Sequence, residues 1–466
     1  MKIRSAALAL LLAAWFFRHA GAGLFGWFSG DDLMNLHGAW TASWGKLAAG
    51  NLFFFGPDIR PLGALWYRLV FAVAGFEPMA FHAGALALLL ANIALAWGVA
   101  HKLSGRAGVA TLTALLVSYN ARFANLYFDT GAIYDILCFF FYYGALLLYL
   151  RIRECGAFPG RGESAALVAL AVCALNSKEM AVTLPAALLA YELLWHAPER
   201  GGLRRWMARE GRGVLLTAAP AALFVAGKLL SAESIVRMPG YRSTFSLAHA
   251  LSTASVYLDS IFYQYGWFTP ARTLTLWIVL LVLAALARSR CLAYGWLLLS
   301  LTIAPMLTVD PRGGSAIYIC LFGWAFYAAC AAFGLADRLL RRAPRPWRAA
   351  AVIALAMLLL DPAHRFEGRF TAESARRSGE KMRAAWTALS AAMPTVPHRA
   401  RLLFLNDPIE QDIFDLLYLV QLGYGDREIE VVRAKFARPA PDPLAFDRVL
   451  DYYGGRFVIA ARRSRP

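Results

Sequence analysis

The chain has 466 residues, of which 59% are hydrophobic, 14% aromatic and only 17% charged. A soluble domain carries roughly 45–50% apolar and about 25% charged residues, so this excess cannot be hidden behind a water-exposed surface. That excludes a soluble enzyme, a disordered chain and a nucleic-acid binder; the formal charge of +17 reads instead as basic loops of a polytopic membrane protein, among membrane lipids.

A helix that spans the hydrocarbon core needs about 20 mostly apolar residues, and about eleven such segments are expected. Their centres fall near Leu11, Leu90, Leu115, Phe141, Leu170, Leu188, Leu223, Leu280, Leu301, Ala325 and Ala356. One set of loops is basic: Lys2 and Arg4; Lys102 and Arg106; Arg151, Arg153 and Arg161; Arg200, Arg204, Arg205, Arg209 and Arg212; Arg288 and Arg290; Arg338, Arg341, Arg342, Arg345 and Arg348. Positive charge stays inside, so these loops are expected in the cytoplasm, with the amino terminus. An odd number of spans then puts the carboxyl-terminal region outside the cytoplasmic (inner) membrane. The first segment reads as an uncleaved helix, with Ala20-Gly21-Ala22 offering a signal-peptide cleavage site as the alternative; in both cases the chain beyond Gly30 is exported.

The outer loops are unequal. Between Arg18 and Glu77, the stretches Asp31–Ala48 and Pro61–Gly75 read as amphipathic helices rich in Trp and Phe, suited to the membrane interface. The loop Ser231–Arg272 is also long and aromatic. From Pro362 onward no apolar run is long enough to span. Helices over Arg365–Met393 and Gln411–Leu422 and strands over Arg401–Leu405, Ile429–Val432 and Arg456–Ala460 are expected there. The fold class is therefore an all-α polytopic membrane domain over 1–361 followed by a small exported α/β domain over 362–466. Six cysteines, most in apolar runs and none in a CxxC pair, predict neither a disulfide framework nor a zinc site.

Three groups of residues could carry chemistry. Asp31 and Asp32, in Ser29-Gly30-Asp31-Asp32, are adjacent carboxylates at the start of a Trp-rich stretch. Such a pair needs a cation, a donor or a shared proton. Capping of a helix is the structural alternative, and one Asp can cap while the other reacts. Lys178 and Glu179, in Asn176-Ser177-Lys178-Glu179, sit between two apolar segments with almost no loop, either as a functional pair or as a neutralising one. Isolated polar residues at outer helix ends form the third group: Arg60, His82, Arg122, Asp129, Asp135, Asp310 and Arg312. A carboxylate can take a proton from a hydroxyl, Arg and Lys can hold a phosphate leaving group, and aromatic faces suit sugars and prenyl chains. Together these predict sugar transfer from a lipid phosphate.

The same residues resemble the GT-C glycosyltransferases, polytopic enzymes that use polyprenyl-phosphate-linked sugars and carry an exported Asp-Asp or Asp-Glu after the first helix. Arg60-Pro61-Leu62, then Phe81-His82 and Asn92, are similar to an "RPL … FH … N" run of the protein O-mannosyltransferase and TMTC-like branch. Tyr134-Asp135-Ile136-Leu137 resembles its "RADLL", with Tyr in place of Arg. Ser177-Lys178-Glu179, Leu184-Pro185 and Tyr191-Glu192 resemble "SKE … LP … YD", and Asp310-Pro311-Arg312 before Tyr318 resembles "ERY". The likeness covers roughly residues 1–335. It implies a catalytic base at Asp31 or Asp32 and a donor-phosphate site near Lys178 and Arg312, with Arg60, His82, Asp129, Asp135 and Glu179 as further substrate-binding residues. It requires no cofactor and is compatible with a divalent metal. The tetratricopeptide repeats and MIR domain of that branch are not seen; the small exported domain resembles the layout of bacterial aminoarabinose transferases. A protein, lipid or glycan acceptor stays open. The alternative functions are a transporter or flippase of lipid-linked intermediates and a non-catalytic partner in an envelope glycan complex.

Overall fold

The computed structural model describes residues 2–54, 60–156, 158–196, 206, 211–230, 243–409 and 414–462. Arg200, Arg204, Arg205 and Arg209 of the expected basic loops lie outside these residues, as do positions 231–242 of the aromatic loop and Gln411. Seventeen helices are followed in chain order: α1 (Lys2–Ala20), α2 (Gly30–Thr41), α3 (Trp44–Leu52), α4 (Pro61–Ala74), α5 (Pro78–Ser104), α6 (Ala107–Ser118), α7 (Asn125–Phe128), α8 (Ile133–Glu154), α9 (Arg161–Ser177), α10 (Leu184–Trp195), α11 (Arg212–Leu230), α12 (Leu247–Ile261), α13 (Pro270–Leu286), α14 (Arg290–Ile303), α15 (Tyr318–Leu339), α16 (Arg345–Ala392) and α17 (Asp415–Tyr424).

All eleven expected centres fall on helices. Among the described residues, 7 helices are long and apolar enough to cross a membrane: those containing α1, α5, α8, α11, α14, α15 and α16. The helices at the other four centres, α6, α9, α10 and α13, have 12, 17, 12 and 17 residues. Local signals set the ends. The Glu77 carboxylate accepts from the Met79 amide at the start of α5, Pro78 occupies its first turn, and Gly105 closes it with a φ of 65°, which a side chain would resist. The amphipathic stretch after Asp31 is two helices, broken at Ala42, with Ser43 capping α3.

The basic loops converge at one end of the bundle. Lys102 pairs with Glu154, and Arg106 and Arg348 both reach Asp337, each at 2.8 Å. Arg153 is buried against Glu192, which also accepts from the Tyr149 hydroxyl at 2.6 Å. The six cysteines are all free thiols.

The expected units 1–361 and 362–466 meet inside α16, a continuous helix of 48 residues that carries Pro362 in its interior. At 1.5 Å per residue it runs about 70 Å, passing from an apolar segment to a charged one. Beyond it lies a four-stranded sheet of β1 (Arg401–Phe404), β2 (Glu430–Arg433), β3 (Arg448–Tyr453) and β4 (Arg456–Arg462), in the order β2-β1-β3-β4. β1 is parallel to β2 and β3, with Leu402 opposite Val431 and Leu403 opposite Val449; β3 and β4 are antiparallel. β3 is a strand that the sequence reading misses. Helix α17 connects β1 to β2 and packs on α2, the helix that begins with Asp31 and Asp32.

Candidate active site

At the end of the bundle opposite the basic loops is a cavity of about 540 Å³. Its polar lining includes Asp31, Asn35, Arg60, Asp129, Tyr134, Asp135, Lys178, Glu179, Lys228 and Arg312. Its apolar lining includes Phe224, Val225, Leu229, Pro305, Met306 and Val309. Seven of the eleven residues singled out in the sequence thus meet at one place, from helix ends far apart in the chain. Asp32, His82, Arg122 and Asp310 are not among them.

Of the adjacent carboxylates, Asp32 takes the capping role. Asp32 is fully buried. Ser29 is the cap of α2: its hydroxyl accepts from the Asp32 amide at 3.4 Å, and the Asp32 carboxylate accepts from the Ser29 amide at 2.8 Å. That reciprocal pair is a capping box. The Thr130 hydroxyl donates to the other Asp32 oxygen at 2.7 Å, and its remaining contact, to the Tyr67 hydroxyl at 3.1 Å, must then be donated by Tyr67. Asp31, exposed one residue earlier, lines the cavity. Asp129 lies between them: it hydrogen-bonds to the Asp32 carboxyl, accepts from the Gly131 amide at 2.7 Å and also lines the cavity. Burial, and then the Asp32 charge, push its pKa well above the usual carboxylate range.

His82 is buried beneath the Gly26 backbone, away from the cavity, and packs inside the helical body. Asn92 ties α5 to α8 by donating to the Ile136 carbonyl at 3.0 Å. Asp310 is exposed and outside the cavity.

The cations are held by carboxylates from distant segments. Arg60 grips Glu179 with two donors, at 3.0 and 2.6 Å, and lies over the Tyr134 ring. Its backbone is left-handed (φ 59°), a conformation costly for a residue with a Cβ, and Pro61 starts α4 directly after it. Burial would raise the Glu179 pKa, but the Arg60 guanidinium, the Lys178 charge and a backbone amide together outweigh burial and hold it at about 2. Lys178 forms a buried ion pair with Asp135 at the start of α8. Lys228, near the end of α11, is a fourth cation on the cavity wall that the sequence reading misses.

A second cavity, of about 750 Å³, shares Asp31, Asn125 and Asp129 with the first. Its other walls come from α16 (Thr371, Ser374, Ser378, Lys381), from Arg122 and from Pro408, Ile409 and Asp415 of the sheet region. Arg122 pairs with Glu367 at 3.1 Å and lies 3.8 Å from the Tyr265 ring centre. Among the described residues, no three His, Cys, Asp or Glu side chains converge as a metal site requires.

Two crystal structures of ArnT from Cupriavidus metallidurans, one in the apo state and one bound to undecaprenyl phosphate, share the fold with a TM-score of 0.50. The likeness covers 92% of this chain and 85% of that one at 14% sequence identity. No family model matches the chain, and no curated protein matches it.

Proposed function

We propose that the protein transfers a sugar from a polyprenyl-phosphate-linked donor to an acceptor hydroxyl, with Asp31 as general base. One observation carries this reading: Asp31 lines two cavities at once, and the first of them is lined both by the cations Arg60, Lys178, Lys228 and Arg312 and by the apolar Phe224, Val225 and Leu229. The cations suit a phosphate and the apolar wall suits an isoprenoid. ArnT, whose fold the chain shares, has been crystallised with undecaprenyl phosphate.

In the proposed step the acceptor oxygen attacks the anomeric carbon of the donor sugar and gives its proton to the Asp31 carboxylate. The bond from that carbon to the phosphate oxygen breaks, and polyprenyl phosphate leaves with the electron pair. The cations stabilise the negative charge that grows on the phosphate. These side chains carry that charge, so the proposal calls for no metal cofactor. A transporter would place its polar residues on broken helices near the membrane midplane. Here Arg60, Asp135, Lys178 and Lys228 all sit at helix ends, which favours transfer at a membrane face.

The proposal includes about eleven spans with the basic loops in the cytoplasm and the sheet region outside the inner membrane. A reporter fused after Pro466 should read as exported. For the chemistry, the purified protein in nanodiscs is incubated with undecaprenyl-phosphate sugars, mannosyl and aminoarabinosyl among them, and hydrolysis or transfer of the sugar is followed by mass spectrometry. Asp31→Asn should lower turnover by about 10²–10⁴-fold, the range of a lost general base. Full turnover in that variant refutes the mechanism.

A further inference from the structure

We infer that the second cavity is the acceptor cleft, and that it takes a water-borne, anionic glycan chain whose hydroxyl reaches Asp31. The inference rests on the transfer reaction proposed above and adds the class of its second substrate.

The two cavities meet only at Asp31, Asn125 and Asp129. A donor in the first and an acceptor in the second therefore approach Asp31, and Asp129 beside it, from different sides. The second cavity has the wrong lining for a lipid chain. Its α16 wall presents Thr371, Ser374, Ser378 and Lys381 beside Phe370, Ala375 and Met382. Hydroxyls at this spacing form one polar face of the helix and suit the hydroxyls of a sugar chain.

Its height along α16 points the same way. The apolar part of that helix ends at Leu360. At 1.5 Å per residue, Ser374 and Lys381 lie about 20 and 30 Å further along the helix axis. That exceeds the roughly 5–8 Å of headgroup layer on each side of a bilayer. The roof of the cleft is Pro408, Ile409 and Asp415 of the sheet region and not a helix of the apolar bundle, which places the cleft on the water side in this inference.

Charge selects among hydrophilic acceptors. A groove of about 710 Å³ continues the cleft along α16, sharing Phe370, Ser374, Ser378 and Lys381 with it and adding Arg369, Glu373 and Arg377. Arg377 is paired with Glu373 at 3.0 Å. Arg369 and Lys381 have no carboxylate partner among the described residues, and both are exposed. The cleft thus has carboxylates where the reacting hydroxyl would lie and two uncompensated cations further out. A neutral glycan would leave those cations unused; an acidic one pairs with them.

The test uses the full-length protein in phosphatidylcholine nanodiscs, with tetragalacturonate and maltotetraose as probes and undecaprenyl phosphate as the donor-site control. Tetragalacturonate should bind at least about tenfold more tightly than maltotetraose, a difference of one decade in Kd. Lys381→Glu and Arg369→Glu should each erase that preference, with undecaprenyl phosphate binding and the thermal midpoint unchanged. Equal binding of the two oligosaccharides, or charge reversals without effect, overturns the inference. So does a result in which the reversals alter only the enrichment of phosphatidylglycerol around the protein in mixed nanodiscs, which would assign the cations to a lipid surface. Loss of undecaprenyl phosphate binding by the unaltered protein would instead strike at the donor reading, so the two failures are told apart.

Discussion

Asp32 and Asp129 hydrogen-bond carboxyl to carboxyl beside Asp31, which together with Asp129 faces both cavities. Such a contact requires one proton between the two groups. Burial and the Asp32 charge raise the Asp129 pKa, so the folded protein holds a proton that the unfolded chain releases in the ordinary carboxylate range. By linkage, the stability from this pair is fully present below that range and is lost as pH rises through the raised value of Asp129. Asp129→Asn keeps a donor facing Asp32 and cannot ionise. Thermal unfolding from about pH 5 to about pH 9 should therefore show a decline in the wild-type midpoint that the variant lacks. Parallel declines in the two proteins would mean that the shared proton does not contribute.

Asp31 and Asp32 should separate by phenotype. Removing the Asp32 carboxylate strands the Ser29 amide and the Thr130 hydroxyl, both of which now donate to it. Leaving buried donors unpaired costs about 1–3 kcal/mol each, so Asp32→Ala should lower the thermal midpoint by several degrees. Asp31→Asn, at an exposed position, should leave the midpoint unchanged while turnover falls. If both variants unfold early, or Asp32→Ala is as stable as the wild type, the division of roles is wrong.

The sequence reading left the choice between Asp31 and Asp32 open, although a signal was there: Ser-x-x-Asp is a capping signature, and it points to Asp32, three residues after Ser29, as the capping partner. The helix positions were legible, because burial in lipid demands long apolar runs. The ion pairs were not: Arg60 finds Glu179 at a separation of 119 residues and Lys178 finds Asp135 at 43, and only the packed bundle brings them together. Lys228 was hidden because a Lys at the end of an apolar helix ordinarily marks the membrane interface. Pro362 reads as a helix stop, yet α16 runs through it. β3 escaped because Arg448-Val449-Leu450-Asp451-Tyr452-Tyr453 lacks a clean apolar–polar alternation, and its pairing with β4 shifts register at Val449/Leu450.

The Arg60–Glu179 pair tests whether these cations need their carboxylates. The low pKa of Glu179, about 2, means that its stabilising charge is present above the ordinary Glu range and is lost only as pH falls through about 2. The pair therefore stays intact through neutral and mildly acidic pH. With 19% and 31% of the side chains exposed, it sits between a surface and a buried bridge, and Glu179→Ala should cost about 1–2 kcal/mol. Exchanging the two residues (Arg60→Glu with Glu179→Arg) should recover stability in thermal unfolding but not undecaprenyl phosphate binding, because the cation then leaves α4. A swap that restores both would show that its position is immaterial.

The sheet region grips the helix that carries Asp31, and this should matter for turnover. His37 on α2 contacts the Gln421 amide oxygen at 2.6 Å and lies against the Tyr418 ring, with centroids 4.5 Å apart. Gly379 on α16 completes the clamp: a Cβ there would lie 2.5 Å from the Trp27 carbonyl oxygen, two residues before the Ser29 cap. Backbone meets backbone at that point, so no side-chain rotation can relieve the contact. Gly379→Ala should push α16 away from the Ser29–Asp31 turn, costing about 1–3 kcal/mol as overpacking does. It should also lower transfer while undecaprenyl phosphate binding is kept, since Gly379 lies outside the first cavity. Gln421→Ala, which loosens the same helix from the other side, should act in the same direction and more mildly. Turnover is compared with donor binding in nanodiscs. Unchanged turnover in Gly379→Ala would detach the sheet region from the chemistry.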